Sequence, residues 1–424
     1  MTFPRHGSPA EDVLESLAGF RAGDVRWRDN RVFSLVYTAG DELHDLLEQA
    51  HGLYLFENAL NTEAFPSLRR IQSDLLRSVA ELLNGGDTAA GFTTSGGTES
   101  ILMAVKVARD WGRAERGITE PEMVLPASAH AAFAKASHYF GVRSVRVDVG
   151  PDYRADVDAV DQAMTPSTVL VVGSAPTYPQ GVVDDIPSLA ALAAERGVLC
   201  HVDACMGGFL LPFLERLGHF DKPWDFRVPG VTSISADLHK YGYAVKGVST
   251  VTYRTRELRR YQAFTFDQWL GGAYGSPSMP GTRPAGPLAA AWAVVHHLGV
   301  DGYTELVRRA WDATQRIRAG IEALPALRVV GDPDATLLAV AASPPSPSPG
   351  DARVDVFAVG EELRRRGWYV DRQTPPDSLH LTVHAGHAAP VCDEFVADLS
   401  DAVSEVAAAS AAAGDRATTY GTVE

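Results

Sequence analysis

Cysteine is scarce in this chain, with only Cys200, Cys205 and Cys392 among 424 residues. An odd, sparse set without metal-ligand spacing rules out a disulfide framework, offers no zinc site, and fits reduced thiols in a cytoplasmic setting. Long apolar runs are missing as well. The longest core-like stretches, such as Val169 to Val172, are strand-sized and far short of a membrane span. Met1 to Ala10 has no apolar leader core, so neither a membrane segment nor a secretion signal is expected. Basic charge is in deficit: 38 Lys and Arg against 53 Asp and Glu leave a formal net charge of −15. That balance argues against nucleic acid or an anionic membrane surface as a partner. What is present is ordinary for a globular protein, 46% hydrophobic and 21% charged, in a chain long enough for two or three domains. No internal repeat is visible.

Residues 1–60 read as an N-terminal arm with amphipathic pieces; in Gly40 to Gly52, Leu43, Leu46 and Leu47 share one helical face. Pro66 can open a helix running through Leu75, Leu76, Val79 and Leu82 to a stop at Asn84-Gly85-Gly86. From about 91 to 253, strand-like runs alternate with helical patterns. Strands are expected over Glu122 to Leu125, Ser144 to Val149, Thr168 to Val172, Gly197 to Val202, Val231 to Ser235 and Val248 to Tyr253. Helices are expected over Thr98 to Arg113, His130 to Phe140, Val157 to Met164 and Pro187 to Arg196. This alternation predicts an α/β fold with a mostly parallel sheet, whose ligand lies at the carboxyl ends of the strands. After the Gly/Pro-rich segment Gly271 to Pro287, two long helical patterns, Leu288 to Leu298 and Tyr303 to Leu324, lead into a smaller α+β unit. Its strands are expected near Leu327 to Val330, Thr336 to Ala341, Trp368 to Asp371 and Leu379 to Val383. Ser343 to Pro349 reads as a solvated loop and Val406 to Ala413 as a helix. The expected organisation is an arm (1–60), a large domain (61–286) and a small C-terminal domain (287–424).

The chemistry centres on Gly230 to Gly247. A β-branched run, Val231 to Ile234, delivers Asp237, His239 and Lys240 to a strand end, where Gly242 and Gly247 break the pattern. Among Tyr241, Tyr243 and Lys246, the Lys240 ammonium is expected to lose proton affinity, as a lysine that forms a Schiff base must. A lone loop lysine is usually only a surface charge, so the reading depends on its companions. Ser95-Gly96-Gly97-Thr98 follows strand residues and opens a helix, and such a turn makes an anion pocket for a phosphate. Asp203, in His201-Val202-Asp203 at the end of an apolar strand, is a buried carboxylate that needs a cation, and a protonated pyridine nitrogen is one. His130, at a strand-to-helix junction, can lie on a pyridine face and carry protons. Each of these alone is commonly a cap or core residue; together they outline a pyridoxal 5'-phosphate site.

The set resembles the group II pyridoxal-phosphate decarboxylase-like enzymes, and within them the sphingosine-1-phosphate lyase family. The matching stretches are Thr94 to Ile101, Ser128 to Lys135, His201 to Phe209, Asp225 to Asp237, His239 to Gly247, Gly271 to Pro277 and Gly281 to Gly286. The resemblance spans about residues 22 to 400. It implies a type I fold, with a mostly parallel seven-stranded sheet in the large domain and a smaller C-terminal α+β domain. It also implies a homodimer with shared active sites, in which Ser276 reaches the neighbouring subunit's cofactor phosphate, with His239 at the cofactor beside Lys240. The expected reaction is retro-aldol cleavage of a β-hydroxy amine, phosphorylated in the family, to an aldehyde and an amine. His130, Tyr178 and Tyr420 are the candidate bases.

Two departures bear on the substrate. Where the family has Val-Tyr-Trp in its arm, Val25-Arg26-Trp27 is aligned here, and its Asn-Pro-Leu-His-Pro becomes Asn58-Ala59-Leu60-Asn61-Thr62. Arg26, Asn61 and Lys246 are therefore the expected substrate-binding residues. If Arg26 clamps an α-carboxylate, the substrate is an amino acid. Amino acid decarboxylation or β-hydroxy amino acid cleavage is then the alternative. A non-catalytic scaffold would require loss of Lys240 or Asp203, and both are present.

Overall fold

Uninterrupted apolar runs become the central strands, because a strand covered by helices on both faces has no solvent side to keep polar. The computed structural model describes residues 3–344 and 354–408. The larger sheet comprises β1 (Ala90–Thr94), β2 (Glu122–Pro126), β3 (Arg143–Val147), β4 (Thr168–Ser174), β5 (Leu199–Asp203), β6 (Ser233–Ala236) and β7 (Ser249–Tyr253). These seven strands lie in the order β1-β7-β6-β5-β4-β2-β3. Side chains alternate between the two faces. Val124, Val171, Val202 and Ile234 enter one core with helices Pro66–Leu82 and Ile186–Glu195, while Met123, Leu125, Leu170 and Val172 enter the other with Gly97–Arg116 and Ala132–Phe140.

The α/β architecture expected from the alternation is found, with neighbours from β3 to β6 parallel. Only β7 is reversed, antiparallel to both β6 and β1. A parallel return needs a crossover, usually a helix. Residues 237–248 are instead spent on the turn that carries Lys240, and the chain comes straight back beside β6. In consequence Thr94, Ser174, Asp203 and Ala236 end their strands along one edge, with Ser249 opening β7 there.

A hairpin of β8 (Phe264–Phe266) and β9 (Tyr274–Ser276), not read from the sequence, exposes Phe264, Phe266, Trp269 and Leu270. The two long helical patterns form Gly286–Glu322, broken at Gly299 by a left-handed φ of 53° that a glycine adopts without strain. Beyond it, β10 (Leu327–Val329), β11 (Leu337–Ala342), β12 (Asp371–Gln373) and β13 (Ser378–Thr382) form an antiparallel sheet in the order β10-β11-β13-β12.

The strand expected over Trp368 to Asp371 starts later, at Asp371. Trp368 and Tyr369 pair elsewhere: Trp368 Nε1 donates to Asp398 Oδ2 at 2.7 Å, and Tyr369 exchanges backbone hydrogen bonds with Arg31 and Phe33 of the arm. The arm is thereby sewn to the small sheet. Phe33 is fully buried, with its ring 4.5 Å from those of His387 and Phe395. Phe33→Ala should therefore cost about 3–5 kcal/mol of stability, measurable as a lowered urea midpoint at unchanged slope. Helix Ala10–Phe20 buries nothing and exposes Val13, Leu14, Leu17 and Phe20. The expected loop at Ser343 to Pro349 falls mostly outside the described residues, as do the end of the expected Val406 to Ala413 helix and Tyr420. Among the described residues no helix is long and apolar enough to cross a membrane.

Candidate active site

The shared edge of strand ends borders a cleft of about 290 Å³. Its walls carry Ser95, Gly96, Gly97 and Thr98 after β1, His130 after β2, Tyr178 after β4, Asp203 at the end of β5, and His239 and Lys240 after β6. Residues far apart in sequence converge because parallel strands end on the same side. A larger hollow of about 570 Å³, between helix Pro66–Leu82 and the Gly299 break, carries none of these groups.

Lys240 Nζ lies 3.0 Å from Asp237 Oδ2, and Asp237 is fully buried. Burial pushes the Asp237 carboxyl upward, but Lys240, His239 and the Ser249 hydroxyl outweigh it and hold it below the ordinary carboxylate range. The Tyr241 hydroxyl donates to Val383 O at 2.8 Å, and the Tyr243 hydroxyl accepts from Ala385 N–H at 3.1 Å, so both phenols tie the lysine turn to the segment after β13. Asp237 gives the lysine cation a carboxylate partner.

Asp203 Oδ1 accepts from Ser235 Oγ and from Cys205 N–H, both at 3.1 Å, which fixes the carboxylate facing the cleft. His130 Nδ1 accepts from Ala132 N–H at 3.1 Å, so the neutral ring carries its proton on Nε2. Burial lowers its pKa; Asp203 opposes this and Lys240 adds to it. Burial thus favours the neutral form of His130.

The Ser95 to Thr98 turn begins helix Gly97–Arg116, whose first N–H groups point out of the helix. Gly97 is required there, because a Cβ would come within 2.7 Å of Asp237 Oδ2 and of Cys205 Sγ. The turn is braced by Glu99, a buried residue the sequence reading passed over: its Oε2 accepts from Ser95 N–H and Ser95 Oγ, and its Oε1 from Met279 N–H, each at 2.7 Å. A serine followed by an acid in the first helical turn was the available signal. An anion cradle at one end, a buried carboxylate at the other and a lysine and a histidine between them suit pyridoxal phosphate, with the phosphate on the helix start and the protonated ring nitrogen on Asp203.

The expected substrate residues are not all brought together. Lys246 Nζ donates to His239 O at 2.9 Å and lies 4.8 Å from the centre of the Tyr37 ring. Burial first, then Lys240, brings the Lys246 pKa down to about 8, with Asp237 opposing. Arg26 instead is exposed, pairs with Asp29 at 2.7 Å, and borders a separate surface hollow. Asn61 is also exposed, with Oδ1 accepting from Glu63 N–H at 2.9 Å, and does not line the cleft. Tyr37 of the arm, in Val36-Tyr37-Thr38, is the residue found against Lys246. Ser276 Oγ donates to Ser278 O at 3.1 Å, within the loop that Met279 fastens to Glu99 of the same chain.

Comparisons with known proteins agree with this geometry. The pyridoxal-dependent decarboxylase conserved domain matches residues 1–342. Sphingosine-1-phosphate lyase 1 of Rattus norvegicus is 40% identical over 96% of this chain and 70% of its own. A probable L-aspartate decarboxylase of Pyrococcus furiosus is 32% identical over 87% of this chain and 94% of its own. Among solved structures, a sphingosine-1-phosphate lyase of Burkholderia pseudomallei superposes with a TM-score of 0.90 at 39% identity, covering 96% of this chain and 94% of that one.

Proposed function

The chain belongs to the sphingosine-1-phosphate lyase family of pyridoxal-dependent enzymes, and from that premise we propose that it cleaves the Cα–Cβ bond of a phosphorylated β-hydroxy amine by a retro-aldol reaction. It is a pyridoxal-phosphate-dependent lyase. The bound cofactor supplies an electron sink for the bond broken next to the amine-bearing carbon. The chain's own residues do the rest. The helix start at Ser95 to Thr98, with His239 beside it, would hold the cofactor phosphate; Asp203 would keep the ring nitrogen protonated; Lys240 Nζ would be the point of attachment and the donor that returns a proton to Cα. His130, with its proton on Nε2, would lie against the cofactor ring and is a candidate proton carrier, as is Tyr178. On the substrate, the β-hydroxyl gives up its proton, the Cα–Cβ bond breaks, and Cβ leaves as the aldehyde.

The observation that best supports a phosphorylated substrate is the Lys246 ammonium beside Tyr37, a second cation next to Lys240. Lys246 is a cation below about pH 8 and loses its charge above it. The KM for a phosphorylated amine should then rise as the pH passes about 8, and Lys246→Met should raise KM and flatten that dependence, in initial-rate measurements across pH 6.5–9.5 (a range of about three units).

The exposed helix Ala10–Phe20 and the aromatic hairpin β8–β9 support a homodimer with shared sites, since apolar faces of this extent mark subunit contacts. In that assembly Ser276 serves the neighbouring subunit's site, and a cytoplasmic setting suits the reduced thiols. The reading divides the chain into arm (1–60), large domain (61–286) and small domain (287–424). The deciding experiment incubates the yellow holoenzyme with sphingosine 1-phosphate and follows a long-chain aldehyde and a phosphorylated amine by mass spectrometry. A second reading, amino acid decarboxylation, draws on the likeness to the Pyrococcus furiosus protein. Carbon dioxide released from aspartate without aldehyde from the phosphorylated amine would replace the first reading by the second.

A further inference from the structure

Tyr178 reaches the cleft from the link after β4, yet it is held from the small domain. Its hydroxyl donates to Asp371 Oδ2 at 3.2 Å. Its ring lies against that of His380, with centroids 4.0 Å apart and planes at 32°. Asp371 and His380 are direct partners across β12 and β13, so one cross-strand pair grips both the hydroxyl and the ring. Next along β12, Gln373 Nε2 donates to Pro179 O at 2.8 Å and pins the residue after the tyrosine. His380 is fully buried, its Nε2 is 3.0 Å from Thr382 Oγ1, and burial brings its pKa down to about 3. It is a neutral platform.

The direction of the hydrogen bond has a chemical consequence. A phenol has one proton, and here that proton is given to Asp371, so toward any other partner the Tyr178 oxygen can only accept. A substrate hydroxyl that meets Tyr178 must therefore donate to it. We propose that Asp371 is the terminal proton acceptor of the lyase reaction, acting through Tyr178, with His380 fixing the ring between them. The β-hydroxyl proton passes to the Tyr178 oxygen as the phenol proton passes to Asp371 Oδ2; the hydroxyl electrons become the carbonyl of the leaving aldehyde, and the electron pair of the Cα–Cβ bond stays on Cα until a proton returns there. Tyr178 ends as it began, and Asp371 holds the proton. Burial suits Asp371 to this: it raises the carboxyl pKa, against the pull of Ser34 of the arm and of the Tyr178 and Tyr369 hydroxyls. A more basic carboxylate is a better acceptor. The inference rests on the carbon–carbon lyase reading for its chemistry, but the Tyr178–Asp371 link can be tested without it.

The test uses Asp371→Asn, which keeps the shape and the hydrogen-bond acceptor but cannot take the proton. In the holoenzyme, kcat should fall by on the order of 10²-fold with KM within about twofold and an unchanged melting temperature. Tyr178→Phe should fall to a similar level, and the double variant should be no slower than either single one, because both remove the same relay. An Asp371→Asn enzyme within about threefold of wild-type kcat, or multiplicative losses in the double variant, overturns the proposal. A readout independent of turnover is fluorine NMR of holoenzyme labelled with 3-fluorotyrosine, where the Tyr178 signal is the one absent from Tyr178→Phe. That signal should move in Asp371→Asn, as the neighbouring charge is removed, and a signal left in place also overturns the proposal. A wild-type enzyme that cleaves no β-hydroxy amine defeats the lyase reading alone, and the resonance still decides the link.

Discussion

Replacing Lys240 with alanine is expected to bleach the holoenzyme and to cut kcat by on the order of 10³-fold or more, because both the attachment point and the proton donor at Cα are lost. The same change acts on the fold. Asp237 is fully buried and its carboxylate is matched by Lys240 Nζ at 3.0 Å. Breaking a buried pair from one side leaves an uncompensated charge, at a cost of about 3 kcal/mol here, the low end for such losses, since the Ser249 hydroxyl and His239 still face Asp237. Lys240→Arg separates the two effects: it retains a cation for Asp237 and should melt near the wild-type temperature, while losing the chromophore and the activity as fully as Lys240→Ala. Thermal melts of the cofactor-free proteins, with absorbance and initial rates of the reconstituted ones, check both arms. Equal melting temperatures for Lys240→Ala and wild type would remove the structural role assigned to the pair.

Asp203→Asn is expected to lower kcat by on the order of 10²-fold with little change in KM, because it alters a charge and almost nothing else. An asparagine can keep the Oδ1 hydrogen bonds from Ser235 Oγ and Cys205 N–H, so the strand end stays as it is. What it could not do is hold a proton on a pyridine nitrogen bound against it, the role proposed for Asp203. Asp203→Glu retains the charge but must push its longer chain into a closely filled strand end, so it should recover only part of the activity. Steady-state kinetics of the two variants, alongside their cofactor absorbance, measure the difference. An Asp203→Asn enzyme of wild-type kcat would mean that the carboxylate serves only to brace the turn.

The cofactor end of the site was legible because it is local. Ser95-Gly96-Gly97, the aspartate ending an apolar strand, and His239-Lys240 before a glycine break each carry a short-range signal, and the alternation of strands with helices places them on one edge of a sheet. Glu99, Tyr37 and Asp371 were missed for different reasons. Glu99 gives a helix-start signal but no hint that it also braces Met279, nearly 200 residues away (roughly, in chain terms). Tyr37 lies in an arm with weak periodicity, where the segment compared with the family was Val25-Arg26-Trp27, whose Arg26 pairs with Asp29 on the surface while Tyr37 meets Lys246. Asp371 sits in a short strand whose neighbour Tyr369 pairs with the arm, a contact that no local pattern encodes.

The sequence by itself therefore determined the α/β class, the apolar strands that form the sheet, and the candidate residues that the fold brings to one cleft. Periodicity and strand-end chemistry depend only on near neighbours in the chain, and a parallel sheet leaves few ways to arrange them. Tertiary structure alone decided the reversal of β7, the pairing of Lys240 with Asp237, the arrival of Tyr37 at Lys246, and the grip of Asp371 and His380 on Tyr178. Each is a contact between surfaces whose meeting depends on how the arm and the small sheet dock. Free energy from burial sets that docking, and burial is a property of the folded whole, not of any stretch of residues.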